Sequence, residues 1–501
     1  MLHPTAGSVL DDSLLESFGL DELVPASLTP WRPLVFSGVK FFLEHLPPHR
    51  LSAIVAAQLA LPEDIGTAGR LVALAQESVT LHKLGQVLAR NRQIDPVIRH
   101  HLQSLESMPP TTPIEPVLHR IDEELPYRPS VTIASDALAE GSVAVILPFQ
   151  YQDNGETRHG VFKVLKPGIE EKFKEELLIW LELGSFLEQL GGKLGLPALD
   201  YRGTLDSVRE LLVKEIHLEE EQKNLRAAAA LYADEARVLV PRLLPWCTSK
   251  VTAMERIFGT KVTDANLPDW RRAELADIMI AALIGQPFWS KAEQAIFHAD
   301  LHAGNLFLST DGRLAILDWS LTFRLSKAER EMLVSLVLGG LLLDETRIRH
   351  AIAALGSMSP NDTMLVDAVE RALDRVVFQG HLPGFEWVLA LLDELALNAA
   401  ASFRDDFVLF RKTWFTLAGL IHDLEGGSPD WPLIALGLKR FLTEFPFRAF
   451  APPDAANFST HVSNAEILRA LSSLNLVAIR YWIRRMNPRQ HSHGRHLFLQ
   501  Q

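Results

Sequence analysis

The stretch Phe297-His298-Ala299-Asp300-Leu301-His302-Ala303-Gly304-Asn305-Leu306-Phe307-Leu308 constrains this chain more than any other. It is followed by Asp311-Gly312-Arg313 and then by Leu314-Ala315-Ile316-Leu317-Asp318. Two short apolar runs around an Asp-Gly pair are a strong β-hairpin signal, because that pair accepts the positive φ angles of a tight turn. Asp300 precedes the hairpin, Asn305 stands five positions later, and Asp318 follows it. Residues in that order suit phosphoryl transfer: the first Asp orients or deprotonates an acceptor, while the Asn and the second Asp hold Mg²⁺ against phosphates. Mg²⁺ is a hard cation, and a carboxylate plus an amide carbonyl give it oxygen ligands without filling its shell. Asp and Asn are also common in solvated turns. Three matched positions around one hairpin argue against that plainer explanation.

Composition sets the outer bounds. A chain of 501 residues is too long for one simple core, so two or more lobes are expected. The net charge of −13 argues against a general nucleic-acid binder. Cys247 is the only cysteine, which excludes an intrachain disulfide and a cysteine-built zinc cage and fits a reducing compartment. The longest apolar runs, such as Met332 to Leu343, fall short of the roughly 20 residues that span a bilayer. No charged start followed by an apolar core marks a signal peptide, so the expected location is the cytoplasm.

Along the chain, apolar residues recur at helical spacing from Trp31 to Leu59 and from Ala68 to Leu105, so residues 1–125 read as a helical extension. Inside it lies Leu81-His82-Lys83-Leu84-Gly85-Gln86-Val87-Leu88. By spacing alone, Gly85 there reads as a helix crossing that needs a small residue. Residues 126–258 read as a strand-rich lobe. Leu138-Ala139-Glu140-Gly141-Ser142-Val143-Ala144 leads into a strand from Val143 to Phe149, Asn154-Gly155 marks a turn, and Gly160 to Gly168 reads as the returning strand with Lys163 upon it. Small residues let backbone amides approach phosphates, and a strand lysine can neutralise them. Lys214 to Leu231 reads as a helix carrying Glu215, Glu219, Glu220 and Glu221, and spacing does not select which acid would pair with the lysine. Val238 to Leu244 and Val251 to Met254 read as strands. Met254-Glu255-Arg256-Ile257 would then be a hinge whose backbone meets adenine. Residues 259–445 read as a helical lobe around the opening motif, and 446–501 as a final helix with a basic tail.

Taken together, these segments resemble the UbiB/AarF family of atypical protein-kinase-like proteins, associated with coenzyme Q and isoprenoid-lipid metabolism. The resemblance spans roughly residues 70 to 430. It rests on Lys83, Gly85 and Gln86 as a Lys-x-Gly-Gln motif, and on Ala139 to Ala144 as an alanine-rich nucleotide loop. It rests also on Lys163 with Pro167-Gly168-Ile169, and on His298, Asp300, His302, Gly304 and Asn305. The family's Glu-x-Asp motif falls on Glu215 and His217, and its helix glutamate on Glu221. Four departures stand out: His217 for Asp, Glu140 as an acid in the nucleotide loop where it would repel phosphate, Val145 for Gln, and Trp319-Ser320 for Phe-Gly. The last also resembles aminoglycoside-phosphotransferase-like kinases.

The resemblance implies a two-lobed α+β kinase-like fold with helical N-terminal and C-terminal additions. It implies ATP and Mg²⁺ as ligands, and ATP hydrolysis or phosphoryl transfer to a small or lipid-linked (isoprenoid) acceptor. Asp300 would position the acceptor or water, Asn305 and Asp318 would bind Mg²⁺, and Lys163 with Glu221 would set the phosphates. Ala139, Gly141 and Ser142 would lie along the nucleotide, with Glu255 and Ile257 at adenine. Lys83, Gly85, Gln86 and Glu215 would be regulatory, holding a helix over the substrate. Two competing classes are a pseudokinase scaffold for lipid-modifying enzymes and an antibiotic-type small-molecule kinase. Only seven residues separate Asp318 from Ser326, and Ser326-x-x-Glu329 is a capping box that opens a helix, so no long peptide-docking segment is expected.

The end of the chain reverses the overall charge. Ile467, Leu468, Leu471, Leu474, Leu476, Ile479, Trp482 and Ile483 follow helical spacing; Arg480, Arg484, Arg485, Arg489 and Arg495 lie among or beyond them, and no acid follows Glu466. Such a segment suits either the surface of an anionic membrane or a last helix packed on the preceding lobe.

Overall fold

The structure, a computed structural model, describes residues 15–16, 18, 20–88, 95–103, 105, 110–196, 201–398, 401–425 and 427–486. The chain forms two compact units. The first comprises Met1–Arg226, Pro241–Ile257 and Asp318–Leu321; the second comprises Ala227–Val240, Phe258–Leu317 and Thr322–Gln501.

In the first unit the N-terminal helices Arg32–Glu44, Pro48–Leu59, Gly66–Gln76, Val79–Leu88 and Pro96–Gln103 share a core with the long helix Ile169–Lys193. Phe42, Leu74, Phe173 and Trp180 are buried there together. One buried carboxylate ties this assembly. Glu176 accepts hydrogen bonds from Ser78 Oγ (2.9 Å), Thr80 N (2.9 Å) and Thr80 Oγ1 (2.7 Å) and pairs with the buried Arg50. A carboxylate taking the first N–H groups of a helix acts as its N-cap, so Glu176 fixes where the Val79–Leu88 helix begins.

The sheet of this unit contains β1 (Val131–Ile133), β2 (Ala139–Glu140), β3 (Ala144–Asp153), β4 (Glu156–Leu165) and β6 (Val251–Glu255), in the order β1-β3-β4-β6 with β2 also on β3, all antiparallel. The β3–β4 hairpin turns at Asn154 and Gly155, whose φ angles of 53° and 83° are those of the turn the pair encodes. Lys163 lies opposite Ile146 on one side and Thr252 on the other, so it stands on a strand paired along both edges.

The second unit holds a sheet ordered β5 (Val238–Leu239), β10 (Leu314–Ile316), β9 (Leu306–Ser309), β7 (Gly259–Lys261), and a two-stranded pair of β8 (Gln294–His298) with β11 (Thr322–Ser326). Gly312, with φ at 84°, lets β9 turn into β10. The capping box at Ser326 and Glu329 opens the helix Lys327–Leu341. Phe297, Phe323, Phe410 and Trp414 build the core beside β8, with the first two rings stacked at 5.0 Å.

Two expectations are corrected. The stretch from Lys214 to Leu231 is two helices, Tyr201–Glu215 and Leu218–Leu231, broken at Ile216 and His217. In an unbroken helix Glu215 and Glu221 would be rotated about 240° apart; the break frees each to find its own partner. The strand expected from Val238 to Leu244 shortens to β5, which pairs in parallel with β10.

Candidate functional site

In the first unit, Lys163 is the centre of charge. Its Nζ lies 2.8 Å from Glu221 Oε1 and 3.3 Å from Asp318 Oδ2. Burial alone would favour the neutral amine, but the Asp318 and Glu221 carboxylates more than offset it and raise the lysine above its ordinary value. Glu221 is buried at the start of the Leu218–Leu231 helix, and its Oε2 has no hydrogen-bond partner among the described residues. Gln222, the next residue, donates to Thr252 Oγ1 (3.0 Å) and Thr248 O (2.8 Å), which pins that helix to β6. Asp318 has φ at +51°, an unfavourable backbone for a residue with a side chain, and its Oδ1 accepts from Ser320 N (3.1 Å) and Ser320 Oγ (2.6 Å). Trp319 is fully buried and its carbonyl accepts from Asn224 Nδ2 at 3.1 Å. The Trp319-Ser320 departure therefore keeps the aspartate oriented: the indole anchors the turn and the serine holds one carboxylate oxygen.

Ala139 and Glu140 form β2, and Gly141 N donates to Ala144 O (2.9 Å) to close a tight turn. Ser142 Oγ donates to Glu215 Oε2 (3.4 Å), and Lys83 pairs with Glu215 through the other carboxylate oxygen. Glu215 thus joins the small-residue turn to the Val79–Leu88 helix. His217 instead turns back to the helix before it, where its Nδ1–H donates to Val213 O (2.6 Å). Glu140 does not stand as an open negative charge. It pairs with Lys166 (2.6 Å) and accepts from Thr112 Oγ1 (2.7 Å) and from the Thr111 and Thr112 amides. Burial opposes the charged form, but these partners pull the carboxyl down to about 2. Gly85 is packed against the Leu105 side chain, where a Cβ would lie 2.6 Å from Leu105 Cδ1. Gln86 is in the helix, and its side chain lies outside the described residues. At the far end of β6, the Glu255 amide donates to Arg242 O (2.9 Å) and the Arg256 amide to His159 O (3.1 Å); Ile257 closes this part of the unit.

In the second unit, the loop after β8 is framed by its two histidines. His298 Nε2–H donates to Leu317 O (3.0 Å) and its Nδ1 accepts from Asp300 N (3.2 Å). His302 Nδ1 accepts from Gly304 N (3.1 Å), and a Cβ at Gly304 would lie 2.8 Å from His302 Cε1. The glycine of the motif is needed because the imidazole folds back over it. Asn305 Nδ2 donates to Asp300 O (3.0 Å), and Leu317 N donates to Asn305 O (2.8 Å). Asp300 pairs with Lys412 Nζ at 3.2 Å and has His302 Nε2 at 3.7 Å. Lys412 was not legible in the sequence: it comes from the helix Asp405–Glu425, and no local motif surrounds it. Its neighbour Thr413 donates to His298 O (3.2 Å), which seats that helix on the loop.

Asp318, in the first unit, carries a partly exposed carboxylate, and Asn305, in the second, has its NH₂ group used by Asp300 O. A strand lysine held by a helix glutamate, a turn of small residues beside it, and an Asp–Asn loop braced by histidines define the kinase-like class.

Residues 110–352 match the ABC1 atypical kinase-like domain. Relatives include the probable protein kinase UbiB of Pseudomonas fluorescens, 26% identical over 85% of this chain and 79% of that protein. Another is the probable protein kinase UbiB of Azotobacter vinelandii, 27% identical over 72% of this chain and 68% of that one. A solved structure, the Rv3197–erythromycin complex from Mycobacterium tuberculosis, covers 71% of this chain and 89% of its own at 18% identity and a TM-score of 0.46. The chain thus carries an ABC1 atypical kinase-like domain and is similar to kinase-like proteins of the UbiB type.

Proposed function

We propose that this protein binds ATP with Mg²⁺ and either hydrolyses it or transfers its terminal phosphoryl group to a small or lipid-linked acceptor, in support of isoprenoid-quinone metabolism. The observation that carries this reading is the buried Lys163 shared between Glu221 and Asp318. Such a lysine stays protonated, stands at a fixed place on the sheet, and can answer phosphate charge. Mg²⁺, when bound, would neutralise phosphate oxygens and stabilise the charge that develops in transfer. Asp318 and Asn305 are the residues we assign to hold it.

Asp300 would orient the acceptor hydroxyl, or a water, and take its proton as the new O–P bond forms and ADP leaves. His298 and His302 fix the loop on which Asp300 stands. Lys83 and Glu215, with Gly85 and Gln86, would hold the N-terminal helix against the small-residue turn of Ala139, Gly141 and Ser142. Glu255 and Ile257 would meet adenine. The short run from Asp318 to the capping box supports a non-peptide acceptor, since Thr322–Ser326 is already engaged as β11 against β8.

The deciding experiment is a thermal-shift titration with ATP, with and without Mg²⁺, on wild type and Asp318→Asn. The wild type should be stabilised most with both ligands, and the folded variant should lose the Mg²⁺-dependent part. An undiminished shift in folded Asp318→Asn would overturn the metal assignment.

A further inference from the structure

An acid in a turn that meets phosphate should weaken the site, yet the fold surrounds Glu140 with four donors. Its carboxylate pairs with Lys166 (2.6 Å) and accepts from Thr112 Oγ1 (2.7 Å), Thr112 N (2.9 Å) and Thr111 N (2.5 Å). Lys166 directly follows β4, and Thr111 and Thr112 lie just ahead of the helix Ile114–Glu124. One side chain therefore joins three segments of the first unit: the small-residue turn, the end of the strand that carries Lys163, and the stretch leading into a helix.

The turn itself offers amides. Gly141 N donates to Ala144 O and Lys166 N donates to Val143 O, both at 2.9 Å, which closes the turn and ties its exit to the end of β4. Between these bonds, the Ser142 and Val143 amides meet no acceptor among the described residues. The space around Gly141 is open: the nearest atom to a Cβ there would be Ala144 O, at 3.7 Å. Successive N–H groups in a turn form a concavity that binds anions. Gly141 and Ser142 bring almost no side chain to pack, and glycine loosens the backbone further. The shape of the turn therefore depends on its tethers. Ser142 Oγ reaches Glu215 Oε2 at 3.4 Å on one side, and Glu140 supplies the four shorter contacts on the other.

We propose that Glu140 is a positioning residue for nucleotide phosphate: it straps the turn so that the Ser142 and Val143 amides are held ready for phosphate oxygens. This role presupposes the ATP reading and names a residue that sets phosphate affinity within it. Its sign is opposite to the one that charge alone gives. Glu140 and Lys166 cancel each other, so Glu140→Ala would leave the lysine unanswered beside the turn and, by Coulomb attraction alone, tighten phosphate binding. Loss of the strap has the reverse effect, because a freed backbone must be ordered each time phosphate binds. Lys166 is partly exposed, so water and salt screen its field, and the ordering cost outweighs it.

The test measures Mg²⁺-ATP binding to the full chain by calorimetry for wild type, Glu140→Ala and Glu140→Asp, beside amide hydrogen exchange without nucleotide. Glu140→Ala should bind Mg²⁺-ATP about tenfold more weakly, equivalent to ordering roughly one more residue on binding. Glu140→Asp keeps the charge but is a methylene too short to hold Lys166 and the Thr111–Thr112 amides together, so it should weaken binding as well. Adenosine, which carries no phosphate, should bind all three proteins alike. Exchange at Gly141 and Lys166, whose amides close the turn, should be faster in both variants. Should Glu140→Ala misfold, Thr112→Val, which removes one strap bond from outside the turn, should bind Mg²⁺-ATP about threefold more weakly. Tighter binding by Glu140→Ala assigns the acid to repulsion and overturns the proposal. Unchanged exchange overturns it too, as does an equal loss for adenosine, which marks a general structural defect. Wild type that binds no Mg²⁺-ATP overturns the ATP reading and this role with it, whereas wild type that binds while the variants match it overturns this role alone.

Discussion

Lys163 Nζ and Glu221 Oε1 are 2.8 Å apart, and both side chains are buried. The contact joins the middle of a doubly paired strand to the start of a helix 58 residues away. Removing one partner of such a pair leaves a charge in a place chosen for two. Glu221→Ala should cost roughly 3 kcal/mol of stability, the lower end for breaking a buried pair, because Asp318 still answers the lysine. Urea unfolding measures that cost. The proposed ATP turnover should fall as well, since Lys163 would then be drawn to Asp318 alone. A Glu221→Ala protein as stable and as active as wild type would remove this pair from the site.

Lys412 and Asp300 make a second testable contact, at 3.2 Å. A cation there holds the Asp300 carboxylate at a fixed place and can favour phosphate charge near it. Lys412→Met should lower kcat about 10- to 100-fold with little change in KM for ATP, as expected for a group acting in the transition state. Lys412→Arg should recover part of the loss, because the charge returns with a different shape. A change confined to KM would place Lys412 in ground-state binding instead.

Two buried histidines set a pH dependence of stability. His82 Nε2–H donates to Leu105 O (3.0 Å), and His461 Nε2–H donates to Phe288 O (2.6 Å). Burial pushes each down to about 4 from an ordinary 6.5. A neutral, depressed histidine contributes stability that is fully present above the unfolded value and is lost as pH falls from 6.5 through 4. Each can withdraw on the order of 3 kcal/mol across that window. Unfolding curves at pH 7.5 and pH 4.5 should therefore differ less for His82→Gln than for wild type. Equal pH sensitivity of the two would show that His82 does not titrate on unfolding.

Gly85 pits two effects against each other. Alanine in a helix interior is favoured over glycine by about 1 kcal/mol, but a Cβ at this position would meet Leu105 Cδ1 at 2.6 Å. Overpacking typically costs about 1–3 kcal/mol, so Gly85→Ala should be neutral to about 2 kcal/mol destabilising, and Gly85→Val clearly worse. A Gly85→Ala protein more stable than wild type would mean that Leu105 moves aside freely. Glu215→Ala should act on the same helix by another route, freeing Lys83 and Ser142. Hydrogen exchange across Val79–Leu88 should speed up in that variant, and unchanged protection would show that Glu176 alone holds the helix.

The features decided by sequence alone are those written within a few residues. The Asp311-Gly312 hairpin, the Asn154-Gly155 turn and the Ser326–Glu329 capping box formed where local chemistry required them, because turn geometry and helix caps depend on neighbours in the chain. The strand position of Lys163 and the order of the pieces around it were legible for the same reason, as was the packing need behind Gly85. Partners distant in the chain were not. Four acids stood near one another between Glu215 and Glu221, and only a helix break at Ile216 and His217 sent Glu221 to Lys163 and Glu215 to Lys83. Glu140 read as a repelling charge until folding brought Lys166 and the Thr111–Thr112 amides to it. Lys412 carries no motif, and its meeting with Asp300 exists only because Thr413 and the surrounding core seat its helix on the loop. The final helix shows the limit most plainly. Its periodicity revealed an apolar stripe, but periodicity is blind to direction; the acids at Asp344, Glu345 and Asp374 captured its arginines and turned the stripe outwards.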